Sequence, residues 1–300
     1  MRARIAGLTE HARSIALKLS DIAGFEYLDL SHKRFPDGEV YVRVERRLDG
    51  SRVVLVADCS PPRQSECIVE SVVAADALYG SGAEEVILYA PYLPYARQDR
   101  VFLEGEAVSA RAVLRALYNS GFRRLAVVEA HSERVGEHFP GVFCNIRPLP
   151  YMAKVAGVSS SSIVVAPDSG ALERARSVAS ATGSALVSFK KTRDRVTGEI
   201  RVEARDLLEA RGREAYIVDD MISTGSTIAE VARILLEIGV ARVSVLVAHY
   251  LNLPGSMERL VGAGVSRVIA ANTIAPAASS SLVYVDISEV VADELKRCLS

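Results

Sequence analysis

Residues 216–230, YIVDDMISTGSTIAE, constrain the chain more than any other stretch. An apolar run ends in two adjacent carboxylates, Asp219 and Asp220, and is followed by Ser223, Thr224, Gly225, Ser226 and Thr227, after which residues 228–238 have helical spacing. The pattern predicts a strand, a tight turn and a helix. Gly225 can take a positive φ, and the small hydroxyl residues put donors at the start of the helix. Such an N-terminus attracts a phosphate dianion through its unpaired amides and its dipole. The two acids cannot face that phosphate without repulsion, so sugar hydroxyls or a cation are their natural partners. Ser/Thr runs alone are ordinary turn chemistry; two acids at a strand end are costly without a partner.

Around this unit the 300 residues alternate short apolar runs with amphipathic helical stretches joined by glycine-containing loops, which predicts an α/β fold with mostly parallel strands. Strands are expected at residues 5–6, 53–56, 86–89, 125–128, 163–166, 185–189, 215–218, 243–247 and 267–270. The segment LVADCSPPRQSECIVESVVAADALYGSGAEEVILYAPYL, from Leu55, echoes YIVDDMISTGSTIAEVARILLEIGVARVSVLVAHYL, from Tyr216; GFRRLAVVEA and GVSRVIAANT correspond as well. Two copies of one unit follow from this. The first has lost its phosphate loop, because Pro61 and Pro62 remove backbone donors there. The expected division is residues 1–147 and 148–285, with an amphipathic closing helix at 286–300 that could pack on either copy and is assigned to the first.

Composition excludes more than it selects. With 49% hydrophobic and 24% charged residues and a net charge of −1, nothing marks a nucleic-acid or anionic-membrane surface. No apolar run is long enough to span a bilayer, and the charged N-terminus does not read as a signal peptide. Cys59, Cys67, Cys144 and Cys298 are scattered, without C-x-x-C or zinc spacing, and are expected as buried thiols in a cytoplasmic, reducing setting. Neither a Walker loop nor a G-x-G-x-x-G after a strand is present, so a nucleotide, if bound, is held another way.

Three further stretches complete the pattern. SHKRFPDGEVYVRV, from Ser31, carries F-P-D-G-E at a hairpin-like turn, and P-D-G is by itself a turn signal. APYLPYARQDRVFLEGE, from Ala90, places Arg97, Gln98, Asp99 and Arg100 after a strand end, as a solvated loop or as a clamp for a polyphosphate and a base edge. SFKKTRDRVTGEIRV, from Ser188, reads as a solvated hairpin or as a mobile cationic loop.

Taken with the duplicated unit, the motifs D-D-M-I-S-T-G-S-T, F-P-D-G-E and P-Y-A-R-Q-D resemble the ribose-phosphate pyrophosphokinase family, in its archaeal form after Arg100, over essentially the whole chain. The resemblance implies two tandem phosphoribosyltransferase-type domains and transfer of the diphosphoryl group of Mg-ATP to the anomeric hydroxyl of ribose 5-phosphate. It implies that Ser223, Thr224, Gly225, Ser226 and Thr227 hold the 5-phosphate, and that Asp219 and Asp220 hold ribose hydroxyls and, through water, a metal. His131, in VVEAH, and Asp168, in APDSGA, match the family's Mg²⁺-binding positions; Ser169-Gly170-Ala171 departs from the usual residues around that glycine, which leaves the backbone donors there open. His138 reads as structural. Lys191 and Arg193 match the catalytic flexible loop, with Lys190 the alternative for the lysine. Phe35, Asp37 and Glu39 would contact adenine from a neighbouring subunit, with Arg97, Gln98 and Asp99 contributing to ATP from the other side, which implies a homo-oligomer. No general base stands out; Asp220 and a metal-bound hydroxide both stay open. The rival readings are a phosphoribosyltransferase that consumes PRPP and a non-catalytic regulatory homologue.

Overall fold

The computed structural model describes residues 3–189 and 208–299. Two compact units emerge: Met1–Ile146 with Thr273–Ala275 and Ile287–Ser300, and Arg147–Asn272 with Pro276–Asp286. The first contains β1 (Ala3–Gly7), α1 (Glu10–Ala23), β2 (Glu26–Tyr27), β3 (Leu30–Arg34), β4 (Val40–Val44), β5 (Arg52–Val56), α2 (Gln64–Gly80), β6 (Glu85–Ala90), α3 (Ser109–Asn119), β7 (Arg124–Val128), α4 (Glu133–Glu137) and β8 (Val142–Ile146). The second contains α5 (Leu149–Val155), β9 (Ile163–Ala166), α6 (Leu172–Thr182), β10 (Ala185–Ser188), β11 (Glu214–Ile222), α7 (Ser226–Glu237), β12 (Arg242–Tyr250), α8 (Ser256–Gly262), β13 (Val265–Ala271) and β14 (Leu282–Val285). The last helix, α9 (Ser288–Leu299), belongs to the first unit.

Each unit holds one six-stranded sheet, ordered β2-β1-β5-β6-β7-β8 and β10-β9-β11-β12-β13-β14, with every strand pair parallel. Counted along the chain within each sheet, the two orders are identical, so the sequence repeat is a repeat of topology. The central strands are covered on both faces, as parallel sheets require. Val243, Val245 and Val247 of β12 pack with Ile228, Val231 and Leu235 of α7, while Ser244 and Leu246 between them are equally buried. All nine expected strands are present. Those not foreseen as strands are β2, β8 and β14 at sheet edges, and β3, which pairs antiparallel with β4 in a separate two-stranded hairpin. These three edge strands have mixed burial, with neither the strict alternation of a half-buried strand nor the continuous apolar run of a central one.

The closing helix packs on α1, β7 and β8. Its terminal carbonyls are met by two arginines, Arg52 Nη1 donating to Leu299 O at 2.7 Å and Arg124 Nη1 to Cys298 O at 2.7 Å, which suits the negative end of a helix. Here the expectation of free thiols fails. Cys144 of β8 is joined to Cys298 of α9, and Cys59 to Cys67, with Cα–Cα separations of 6.3 and 5.2 Å; no free cysteine remains. Sequence separations of 154 and 8 carry no disulfide signature; only the fold brings these pairs within bridging distance. Paired cysteines also remove the compositional argument for a reducing compartment. Among the described residues, no helix is long and apolar enough to cross a membrane.

Candidate functional site

In an open parallel sheet ligands gather at the carboxyl ends of the strands. In the second unit β9 and β11 are neighbours, and their ends carry Asp168 and the pair Asp219–Asp220. Asp168 Oδ1 accepts from the amides of Gly170 at 2.8 Å and Ala171 at 3.1 Å. The carboxylate thereby caps the turn into α6 and consumes two backbone donors of the Ser169-Gly170-Ala171 variant. Asp219 Oδ1 accepts from the Asp220 amide at 2.9 Å, and Asp220, 3% exposed, lies 4.0 Å from Arg174 Nη2. Burial first, then Asp220 and Asp168 beside it, push the Asp219 carboxyl well above the usual range. Three acids so placed, with one of them driven towards its neutral form, make a site that gains by receiving a cation or hydroxyl donors.

Five residues after Asp220, Gly225 stands at the N-cap of α7 with φ 76°. A Cβ here would sit 3.3 Å from two carbons of Leu260, in a backbone conformation that side chains resist. Having no side chain, Gly225 supplies no side-chain cap to the first turn of α7. Thr224 and Ser226 are exposed and their hydroxyls lie 3.1 Å apart, while Ser223 and Thr227 are half-buried. Arg259 of α8 donates to the Thr224 carbonyl, bracing the turn from behind. Amides, hydroxyls and a helix dipole in this arrangement are groups that can receive an anion. Arg174 and Arg259 escaped the sequence reading. Arg174 had a signal: a cation in the first turn of α6 opposes the helix dipole and calls for an anion nearby.

In the first unit, Asp58 occupies the place that Asp219 holds in the repeat. It is consumed internally: Thr9 Oγ1 donates to Oδ2 at 3.0 Å, and Ser60 N and Oγ to Oδ1 at 3.1 and 2.6 Å. The Cys59–Cys67 bond ties the following loop to α2. The helix that follows, α2, also starts without a side-chain cap, at Arg63, but the turn leading into it runs through Pro61 and Pro62, which offer no backbone donors.

F-P-D-G-E forms the tip of the β3–β4 hairpin. Asp37 Oδ1 accepts from the Glu39 amide at 3.1 Å, and Phe35 is 42% exposed, edge-on to Tyr41 with Lys33 over both rings. A solvent-facing aromatic ring beside acceptors is suited to a flat heterocycle. After β6, Arg97 is exposed, Gln98 Oε1 accepts from Ser109 Oγ at 2.8 Å, and Asp99 is buried with Oδ2 accepting from Ser132 Oγ at 2.5 Å. His131 follows the end of β7 and is half-buried, between Ala130, whose amide donates to Asn145 Oδ1 at 2.9 Å, and Ser132. His138 Nε2 donates to the Asp99 carbonyl at 2.7 Å, a bracing role. His131 and Asp168, expected together at the metal, belong to different units. Among the described residues no three His, Cys, Asp or Glu side chains converge as a ready-made metal cage. Lys190, Lys191 and Arg193 lie outside the described residues.

Comparison with known proteins agrees with this layout. The model of the N-terminal domain of ribose phosphate pyrophosphokinase matches residues 5–121, and the phosphoribosyl transferase domain model matches residues 157–280. A ribose-phosphate pyrophosphokinase of Aeropyrum pernix is 43% identical over 94% of this chain and 92% of its own length. One of Sulfolobus acidocaldarius is 36% identical over 93% and 95%. The crystal structure of phosphoribosylpyrophosphate synthetase from Mycobacterium smegmatis superposes with a TM-score of 0.87 at 25% identity, covering 100% of this chain and 99% of that one. With two tandem phosphoribosyltransferase-type domains and archaeal relatives matched along nearly their full length, the chain belongs to the ribose-phosphate pyrophosphokinase family and is an enzyme of that type.

Proposed function

We propose that the enzyme moves the diphosphoryl group of Mg-ATP to the anomeric hydroxyl of ribose 5-phosphate, giving 5-phosphoribosyl 1-diphosphate and AMP. The observation that carries this reading is the pairing, on adjacent strands, of the acids Asp168, Asp219 and Asp220 with the turn at Gly225, which has no side-chain cap. Amides and hydroxyls of residues 223–227 seat the 5-phosphate, and Asp219 and Asp220 accept from the ribose hydroxyls. Phe35, Asp37 and Glu39 address adenine, as do Arg97 and Gln98 from their own loop, with Arg97 on the phosphates. His131 and Asp168 would hold Mg²⁺. Carboxylate oxygens suit this hard cation, and the absence of a full protein cage among the described residues fits an ion that keeps waters and substrate phosphates as ligands. When bound, Mg²⁺ neutralises charge on the ATP phosphates and favours departure of AMP. Lys191 and Arg193 stabilise the charge that shifts onto the bridging and terminal oxygens during transfer. The nucleotide site is completed by a second copy of the chain, so the working form is a homo-oligomer.

Incubation with ribose 5-phosphate and Mg-ATP should release AMP strictly dependent on the sugar; AMP formation indifferent to the sugar rejects the reading. Lys191→Ala and Arg193→Ala should each lower kcat by about 10²-fold or more while the ATP dissociation constant stays within a few fold, as for contacts made mainly in the transition state. Unchanged turnover in both removes the loop from the mechanism.

A further inference from the structure

We propose that Asp99, Ser132 and His138 form a bracket that holds the His131 loop against the Arg97–Gln98 loop, so that the nucleotide and metal groups of the first unit are presented as one rigid piece. The inference rests on the proposed function for its catalytic meaning and on geometry alone for the bracket.

Asp99 lies between exposed Arg97 and Arg100 but is itself only 8% exposed. Its carboxylate is turned into the protein, where Ser132 Oγ donates to Oδ2 at 2.5 Å. A carboxylate facing outward would instead repel a triphosphate. Ser132 confirms where the interaction is directed. It occupies the N-cap of α4 with extended φ and ψ of −148° and 163°, the position at which a serine hydroxyl ordinarily accepts from a first-turn amide, yet it makes no such bond. The hydroxyl donates to Asp99 instead. At the other end of α4, the C-cap residue His138 places Nε2 2.7 Å from the carbonyl oxygen of the same Asp99. A carbonyl only accepts, so this nitrogen carries the hydrogen.

Both ends of α4 are thus tied to one residue of the neighbouring loop. A helix of five residues has no stability of its own, so these ties, with burial of Val135, hold it in place. On the far side the Ala130 amide donates to Asn145 of β8, and the Glu129 amide to Ile146 O at 2.9 Å, with Glu129 at a positive φ of 40°. His131 therefore sits between two fixed neighbours, Ala130 held from β8 and Ser132 held from Asp99. In the reaction these are positioning residues: a shift of either loop displaces the groups that meet ATP and metal together.

The bracket needs an acceptor at position 99, not a charge, and this separates it from a direct contact with ligand. Asp99→Ala and Ser132→Ala are each expected to raise the KM for ATP about 10-fold with the KM for ribose 5-phosphate unchanged. The double variant should be no worse than either single one, because both break the same bond. Asp99→Asn, whose amide oxygen still accepts, should recover most of what Asp99→Ala loses. Hydrogen exchange gives a second readout that needs no turnover: amides of residues 133–138 should lose protection in Asp99→Ala and Ser132→Ala and regain it in Asp99→Asn. If the wild type makes no AMP, the proposed function fails while the exchange arm still reads the bracket. Multiplying defects in the double variant, an Asp99→Asn as damaged as Asp99→Ala beside a silent Ser132→Ala, or unchanged protection of 133–138 would each overturn the bracket.

Discussion

Burial, the Asp220 carboxylate and Asp168 together raise the proton affinity of Asp219, and this has a cost that can be measured. Its folded pKa lies above the unfolded value of 3.8, so the native state holds the proton more tightly than the unfolded chain. The penalty is absent below that value, grows as pH rises towards the folded pKa, and is complete above it. At neutral pH, above the unfolded value, the unliganded protein carries this penalty. Asp219→Asn should therefore stabilise the unliganded protein at pH 8 by on the order of 1 kcal/mol, the usual gain from relieving a strained functional site, and abolish the gain at pH 3.5. Thermal melts of both proteins at the two pH values test this; a gain independent of pH means that the strain is not electrostatic. The same substitution should weaken ribose 5-phosphate binding. Adjacent acids at a strand end were legible in the sequence, because no partner for them could be named within it. The inward turn of Asp99 was not, since R-Q-D reads the same whether its third residue faces ligand or protein.

At the scale of elements, the β3–β4 hairpin shows how an exposed tip is anchored. Its tip is solvent-facing, but its base rests on α2 through a charge cluster centred on Glu70, which is 3% exposed. Arg34 of β3 donates to Glu70 Oε1 at 2.9 Å and also pairs with Glu66; Arg63 meets Glu70 Oε2 at 2.6 Å, and His32 Nε2 lies 3.2 Å from Glu70 Oε1. Removing the central acid leaves Arg34 and Arg63 to share the one remaining carboxylate, Glu66. Glu70→Ala should cost about 3 kcal/mol, the low end for breaking a buried pair, because both arginines keep some contact with water. It should also raise the KM for ATP more than that for ribose 5-phosphate, since only the hairpin is displaced. Initial-rate measurements against each substrate decide it: equal changes in both constants mean that the cluster supports the whole unit. F-P-D-G-E announced the turn, and the alternating stretch after it announced β4. The partner strand β3, SHKR after Leu30, has four polar residues in a row and gave no alternation to read.

For the molecule as a whole, duplication was visible because both copies keep the strand, loop, helix and strand in register with the same Ala-x-Tyr-Leu ending, and the sheets follow one strand order. What the sequence could not show is how the chain secures its end. After β14 it returns to the first unit, where α9 packs on α1, β7 and β8 and Cys298 is bonded to Cys144. The bond closes a loop spanning 154 residues, and long loops lose most entropy when crosslinked in the unfolded chain: about 5 kcal/mol on the chain-entropy account. The bond Cys59–Cys67 spans 8 residues and on the same account contributes roughly half of that. Cys144→Ala/Cys298→Ala should accordingly lower the Tm by about 10 °C, with Cys59→Ala/Cys67→Ala lowering it by less. The contrast carries the argument, because an apolar helix held mainly by the packing of Val291, Ala292 and Leu295 would lose little when its crosslink is removed. Equal shifts from the two pairs would place the stabilisation in the folded contacts around each sulfur rather than in the length of chain that the bond encloses.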